Sequence, residues 1–582
     1  MSDVTLDATP AAAICVARDT GARLPQSVRM TKALDVGRTR LLLVAAFFAM
    51  GFLLVAARLV DVTVMGAAAG GPVLDVAGAP TSQRADILDR NGVILATSVP
   101  IASLAANASL IDDADHVVDL LVPILPDLNQ ERARRLLATD RQFVWVHRRL
   151  TPSQQDRINR LGIPGLTFDS EQRRIYPLGP LMAHVVGATD VDQYGIAGIE
   201  STMDDVLSRG EPVRLSVDVR LQEILRQEIA EAMVEFRAIG GAGVVMDVHT
   251  GEVLAMASLP DYDPDQIAEA PAEQLFNRTT LGIYEMGSTF KIFTTAMALD
   301  SGTTTIAGGY DATHPLEIDR FTINDFHGQG RWLTVPEIFR YSSNIGSARM
   351  ALAVGTSQQQ AYLDALGLLD ASPIELPEVG DPLVPDPWRE INTVTISYGH
   401  GLAVSPVQLA SAVSAVVNGG LLHPATLIPR DPATLDADQR VISPQTSDLM
   451  NRLMRLVVTE GTGRNAEVEG YLVGGKTGTA EKPAGGGYSQ RALISSFVAA
   501  FPMNDPRYVV FVMLDEPQGN ESTYGYATGG WVAAPVVGDV IARMGPLYGI
   551  APVDETAPEI REALAVPGYG ADLGHQIAAA GQ

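Results

Sequence analysis

Ser288 and Lys291 stand three residues apart, just after Gly287 and ahead of an apolar run in which Phe290, Phe293 and Met297 recur at helical spacing. Residues at i and i+3 share a helix face, so the amine can reach the hydroxyl. The N–H groups at a helix start favour developing negative charge. A serine nucleophile with a lysine base needs this arrangement. A Ser-x-x-Lys match is nonetheless expected about once by chance in a chain of this length, as a capping serine with a solvated lysine.

Order and spacing add what the first pair lacks. Ser342-Ser343-Asn344 follows, flanked by Tyr341 and Ile345, and then Lys476-Thr477-Gly478-Thr479 after Gly474-Gly475. S-x-x-K, S-x-N and K-T-G in this order are the motif set of penicillin-binding proteins and serine β-lactamases. The stretch GYLVGGKT at 470–477 also satisfies the phosphate-binding P-loop pattern. A P-loop needs a hydrophobic strand before it and a helix after it. Here RNAEVE precedes Gly470, and EKPAGGG follows Ala480, where Pro and Gly oppose a helix.

These motifs need a sheet and helices to hold them. From Gly240, AGVVMDV and EVLAMAS flank the turn His249-Thr250-Gly251, and SSFVAAF (495–501) and YVVFVML (508–514) flank Asn504-Asp505-Pro506. Two such hairpins predict an antiparallel sheet built from both ends of the region, with helical segments between, in an α+β domain. The region before it is mixed, with a helical stretch at 129–138 and β-like runs such as VVGA at 185–188.

Residues 41–57, LLLVAAFFAMGFLLVAA, carry no charge. Continued to Val60 they reach about the 30 Å of a bilayer core. Arg29, Lys32, Arg38 and Arg40 precede the run, so the positive-inside rule places 1–40 in the cytoplasm and the rest outside. The chain divides into a cytoplasmic tail (1–40), a transmembrane anchor (41–60), a non-catalytic pedestal (61–236), a catalytic domain (237–550) and an Ala-, Pro- and Gly-rich tail (551–582) that reads as disordered. Acidic residues outnumber basic ones 68 to 42, a net charge of −26 that argues against nucleic acid. Cys15 is the sole cysteine, so the exported part can hold neither a disulfide nor a Cys-based metal site. No His-Glu-x-x-His or similar cluster occurs among the nine histidines, and neither metal nor cofactor is expected.

With these motifs the chain resembles the class B penicillin-binding proteins. Arg84-Ala85-Asp86-Ile87-Leu88-Asp89-Arg90-Asn91-Gly92, Arg174-Ile175-Tyr176-Pro177 and Gly195-Ile196-Ala197-Gly198-Ile199-Glu200 are similar to stretches that in the family couple pedestal to catalytic domain. By themselves they read as turns and surface ion pairs. The run from Asn277-Arg278 to Lys291, Ser397-Tyr398-Gly399-His400-Gly401, and KPAGGGY resemble the division-specific, septal member more than the elongation member. Ala85 replaces a frequent Gly, and Met286 a frequent Pro, without removing a reacting group.

The resemblance implies a peptidoglycan D,D-transpeptidase covalently inhibited by β-lactams. Ser288 would attack the D-Ala-D-Ala carbonyl of a stem peptide, Lys291 would be the base, Ser342 would relay a proton and Asn344 would hold the acyl-side amide. Lys476 would complete the polar network. Thr477 and Thr479 would bind the terminal carboxylate, and the N–H groups of Ser288 and Thr479 would form the oxyanion hole. Gly478 fits an edge strand along which a peptide lies closely. Strand alternation puts Lys476 and Thr477 on opposite faces, so their joint action rests on the resemblance. The implied partners are the inner membrane, a membrane-embedded glycan polymerase of the SEDS type and other division proteins. The rival readings are an elongation-type transpeptidase, a β-lactamase or D,D-carboxypeptidase, and a catalytically silent division scaffold.

Overall fold

The computed structural model describes residues 49–53, 83–431, 433, 440–484 and 487–569. The chain forms two units, Met1–Thr81 and Ser82–Gln582. Of the first, residues 49–53 are described and are helical. The remainder of the expected span at 41–60 lies outside the described residues, and no described helix is long and apolar enough to cross a membrane.

The second unit begins with a sheet of five strands, β1 (Ile87–Leu88), β2 (Ile94–Ala106), β3 (Val144–Leu150), β4 (Leu166–Ile175) and β5 (Val213–Arg214). The long β2 is its spine, antiparallel to β1, β3 and β4. The helix expected at 129–138 spans Gln130–Leu137, capped by Asn129, whose side chain accepts from Arg132 N. The VVGA expectation fails in part. His184, Val185 and Val186 lie in the helical turn Ala183–Val186, and only Ala188–Thr189 is strand. A four-residue apolar run does not by itself distinguish the two. Gly187, at φ +78°, makes the switch, packed so tightly that a β-carbon there would strike the Ala197 carbonyl.

The reading of Arg84, Arg174 and Glu200 as surface ion pairs is overturned. All three are buried, Glu200 completely. Arg84 Nε donates to Glu200 Oε2 at 2.7 Å and its Nη1 to Asp204 Oδ1 at 2.6 Å, while Arg174 Nε donates to Glu200 Oε1 at 2.6 Å. Arg174 Nη1 also reaches Ala85 O at 2.8 Å. A buried carboxylate between two guanidiniums is tolerated because each charge is paired and hydrogen-bonded. Further on, Arg90 approaches Glu252 at 3.6 Å and Ser216 Oγ donates to Val253 O at 2.7 Å, joining this region to the next sheet.

That sheet has the order β8-β9-β10-β6-β7, with β6 Gly240–Asp247, β7 Val253–Leu259, β8 Gly474–Ala484, β9 Gly487–Phe501 and β10 Tyr508–Asp515. All its pairings are antiparallel, as the two hairpins predict, and β8 is an edge strand. Strand alternation divides the core. Val509, Phe511 and Met513 enter one apolar cluster, and Tyr508, Val510, Val512 and Leu514 the other. The second cluster is closed by α1 (Val219–Glu235) and α7 (Ala534–Leu547). The first is filled by α2 (Lys291–Asp300), α3 (Val335–Tyr341), α4 (Asn344–Val354), α5 (Pro406–Val417) and α6 (Pro444–Glu460).

Residues 551–569 are ordered, contrary to the disordered tail expected from their composition. They include α8 (Pro558–Leu564), and Val566 is buried in the first cluster. The composition is poor in apolar anchors, but arginines on other elements supply partners instead. Arg452 Nη1 donates to Ala565 O at 2.8 Å, and Arg455 Nη2 to Glu555 Oε2 at 2.8 Å. Residues 570–582 lie outside the described part.

Candidate active site

Gly287–Phe290 form a tight 3-10 turn that runs into α2, so Ser288 stands half-exposed one turn before the helix proper, and Lys291 is its first residue. Phe290, Ile292, Phe293 and Met297 are buried and fix the helix rigidly. Beneath the turn lies the segment 397–401. Gly287 N donates to Gly399 O at 3.1 Å, and Thr294 Oγ1 to Ser397 O at 2.9 Å. Burial holds the His400 imidazole in that segment below its ordinary range.

The second motif is a hinge between two helices. α3 starts at a capping box made by Thr334 and Glu337 and ends at Ser342, which adopts the left-handed conformation at φ +57°, ψ 44°. A non-glycine residue held there is strained by about 1–3 kcal/mol and persists only where its surroundings enforce it. Ser343 caps α4, accepting from Gly346 N at 3.0 Å. Asp325, absent from the sequence expectations, fastens this hinge: it accepts from Ser343 Oγ at 2.8 Å and Ile345 N at 2.9 Å. Asn344 Nδ2 donates to Asn324 O at 3.0 Å, which turns Asn344 Oδ1 towards Lys291.

Lys291 Nζ therefore has four neighbours: Asn344 Oδ1 at 2.6 Å, Ser342 O at 2.7 Å, and the hydroxyl oxygens of Ser288 and Ser342, each at 3.0 Å. An amide oxygen and a backbone carbonyl can only accept, so they claim two N–H bonds. A neutral amine has two N–H bonds and one lone pair. In that state the lone pair faces hydroxyls, one of them Ser288's, to which the ammonium form donates instead. Burial with Lys476 nearby holds Lys291 well below the ordinary lysine range, the Asp325 charge opposing.

Lys476 is fully buried, and burial lowers it to about 7. Its Nζ lies 3.0 Å from Ser342 Oγ, so one hydroxyl bridges the two lysines. The alternation expected between Lys476 and Thr477 does not keep them apart. The long side chain curls back, and Nζ comes within 3.3 Å of both Thr477 O and Thr477 Oγ1. Thr477 Oγ1 is also 2.9 Å from Thr462 Oγ1, a second residue the sequence reading missed, although Gly461-Thr462-Gly463 marks a turn. Thr479 Oγ1 accepts from Gly529 N at 3.1 Å. Asn324 and Asp325 carry no comparable mark, being brought to the site only by the fold.

Gly478 is on the edge strand as expected, but a different neighbour explains it. A β-carbon there would strike Ser496 Oγ and the Met286 carbonyl. Glycine lets β8 lie flush against the Ser288 turn. Gly287, at φ +54°, makes the reciprocal approach to the Thr479 backbone. All eight expected site residues thus lie where the Ser288 turn, the hinge at Ser342 and β8 meet. Among the described residues no group of three or more His, Cys, Asp or Glu could hold a metal.

Comparison with known proteins defines the class. Residues 241–542 match the penicillin-binding protein transpeptidase domain, and residues 80–228 the penicillin-binding protein dimerisation domain. The chain belongs to the class B penicillin-binding proteins. Within that class it is 41% identical to the probable peptidoglycan D,D-transpeptidase FtsI of Caulobacter vibrioides, over 83% of each chain. It is 30% identical to the peptidoglycan D,D-transpeptidase FtsI of Escherichia coli K12, over 84% of this chain and 88% of that one. Among solved structures, penicillin-binding protein 3 of Mycobacterium tuberculosis complexed with aztreonam superposes with a TM-score of 0.65 at 25% identity, covering 81% of this chain and 98% of the other.

Proposed function

We propose that the chain is a septal peptidoglycan D,D-transpeptidase acting through an acyl-enzyme on Ser288. The observation that carries the reading is the geometry at Lys291 Nζ, 3.0 Å from Ser288 Oγ with Asn344 Oδ1 and Ser342 O as obligate acceptors, so that in the neutral amine the lone pair is left for the Ser288 hydroxyl. As Ser288 Oγ attacks the carbonyl carbon of the D-Ala–D-Ala bond, its proton passes to Lys291 Nζ. The C–N bond breaks, the proton goes to the leaving D-Ala amine, and an ester remains on Ser288. An acceptor stem-peptide amine then attacks the ester and gives up a proton to Lys291. That proton returns to Ser288 Oγ as the new peptide bond forms.

Ser342 relays protons between Lys291 and Lys476, being 3.0 Å from each amine. Asn344 orients the acyl-side amide, and the Thr477 and Thr479 hydroxyls receive the substrate carboxylate beside Lys476. The close approach of Gly287 to Thr479 supports an oxyanion hole built from the N–H groups of Ser288 and Thr479. β-Lactams acylate the same serine.

Residues 41–60 anchor the chain in the inner membrane with 1–40 in the cytoplasm. The pedestal (61–236) and the transpeptidase domain (237–550) lie on the outer side, where a membrane-embedded glycan polymerase supplies strands to be cross-linked. The charge asymmetry around 41–57 supports this topology. The test of the activity is intact-mass analysis after exposure to a β-lactam, followed by peptide mapping. A persistent adduct on the Ser288 peptide is expected. Turnover of the adduct within seconds points to a hydrolase, and no adduct at all points to a silent scaffold.

A further inference from the structure

The two lysines of the site meet at one hydroxyl, Ser342 Oγ, so its position depends on two backbone segments, the hinge after α3 and the entry to β8. Each is held by an arginine, and each arginine is held in turn by residues 551–569.

At the entry to β8, Arg455 of α6 is buried, with its Nη1 donating to Val473 O at 2.7 Å. Val473 stands three residues before Lys476. The same nitrogen donates to both oxygens of Glu467 at 2.8 Å, and Nη2 donates to Glu555 Oε2 at 2.8 Å. The other oxygen of Glu555 accepts from Gly470 N at 2.6 Å, and Val553 N donates to Gly470 O at 2.9 Å. Glu555 thus ties the loop 467–473 and the guanidinium that aims Val473 into one unit.

At the hinge, Arg340 stands two residues before Ser342. Its Nη1 donates to Tyr569 Oη at 2.5 Å and its Nε to Glu460 O, at the end of α6, at 3.1 Å. The guanidinium lies over the Tyr341 ring, 4.9 Å from its centre. Between these two ends, Arg452 holds Ala565 O, and Val566 is buried. Helix α6 packs along β8 and against α3, so the segment grips one helix that borders both motifs.

We infer that residues 551–569 form a positioning strap for the transpeptidase site, in which Glu555 acting through Arg455 sets Lys476 and Tyr569 acting through Arg340 sets Ser342. None of the strap's residues touches the reacting atoms. A displacement of about 1 Å at a catalytic group costs on the order of 100-fold in rate, so small slack in the strap reaches the chemistry.

The inference rests on the reading of Ser288 as the acylated residue, and stopped-flow acylation of the full chain by a chromogenic cephalosporin tests it. The variants are Tyr569→Phe, which removes one oxygen, Glu555→Gln, which keeps the shape and drops the charge, and the two combined. The expected result is a fall in the acylation rate constant of about tenfold in the double variant. Non-covalent affinity should stay within about twofold, and the melting temperature of each single variant close to that of the parent. An acylation constant within about twofold of the parent overturns the strap, as does a loss that vanishes when rates are expressed per folded molecule. If the parent itself is not acylated, the assignment of Ser288 fails, and the strap with it.

Discussion

Two buried clusters of charge in this molecule are built on opposite terms. In the dimerisation-domain region, Arg84 and Arg174 share Glu200, with Asp204 as a further partner, and every charge is met by a counter-charge within 2.7 Å. In the candidate active site, Lys291 and Lys476 are buried, 1% and 0% exposed, and among the described residues neither forms an ion pair. Asp325 acts on Lys291 only from a distance, its own oxygens being taken by Ser343 and Ile345. A guanidinium keeps its proton at any accessible pH, whereas a buried ammonium gives it up readily. A paired arginine holds its charge inside the fold, whereas an unpaired buried lysine is disposed to give up its proton.

The largest effect expected from breaking this contrast is on stability. Glu200→Gln leaves two buried guanidiniums without their shared carboxylate and costs about 3–5 kcal/mol. Urea unfolding measures the loss, and β-lactam acylation per folded molecule stays near the parent value. A variant that keeps its stability would remove the distinction drawn between the two clusters.

Ser342 offers the reverse. Its left-handed backbone suits glycine, so Ser342→Gly is at least as stable as the parent by thermal melting, while its acylation falls by roughly 100-fold for want of the hydroxyl shared by the two lysines. Lower stability together with near-normal acylation would make Ser342 a structural residue.

A further effect lies in the pH dependence of stability. Lys476 titrates at about 7 in the folded chain against an ordinary 10.5. Between those values the unfolded chain binds the extra proton, so this group makes stability rise with pH from about 7 to 10.5 and adds no slope below that window. Lys476→Met should flatten the rise. Parallel stability curves for parent and variant would mean that Lys476 is not neutral in the fold.

The grouping of the candidate site's residues was legible in the sequence because motif order survives folding, whereas their chemical roles are the proposal. Ser288, Lys291, Ser342, Asn344 and residues 476–479 converge as their pattern implies. The sheet was legible too, since two apolar hairpins with turn residues between them leave few other options. Partners supplied by distant elements were not legible. Asp325 has no motif of its own, and its role exists only because the fold sets it beside Ser343. An isolated acid such as Glu200 reads as a surface residue, yet two arginines 116 and 26 residues away accompany its burial. Residues 551–569 looked disordered because composition counts apolar anchors and misses hydrogen bonds to arginines on other elements.

The claim that Lys291 is the base is tested most directly by Lys291→Arg, in which the positive charge is kept and the capacity to surrender a proton is lost. Stopped-flow acylation by a β-lactam, with circular dichroism to establish folding, compares this variant with the parent and with Ser288→Ala. Lys291→Arg is expected to fold and to lose acylation nearly as completely as Ser288→Ala. Acylation within about tenfold of the parent, a barrier change of only about 1.4 kcal/mol, would contradict it and pass the role of base to Lys476 acting through Ser342.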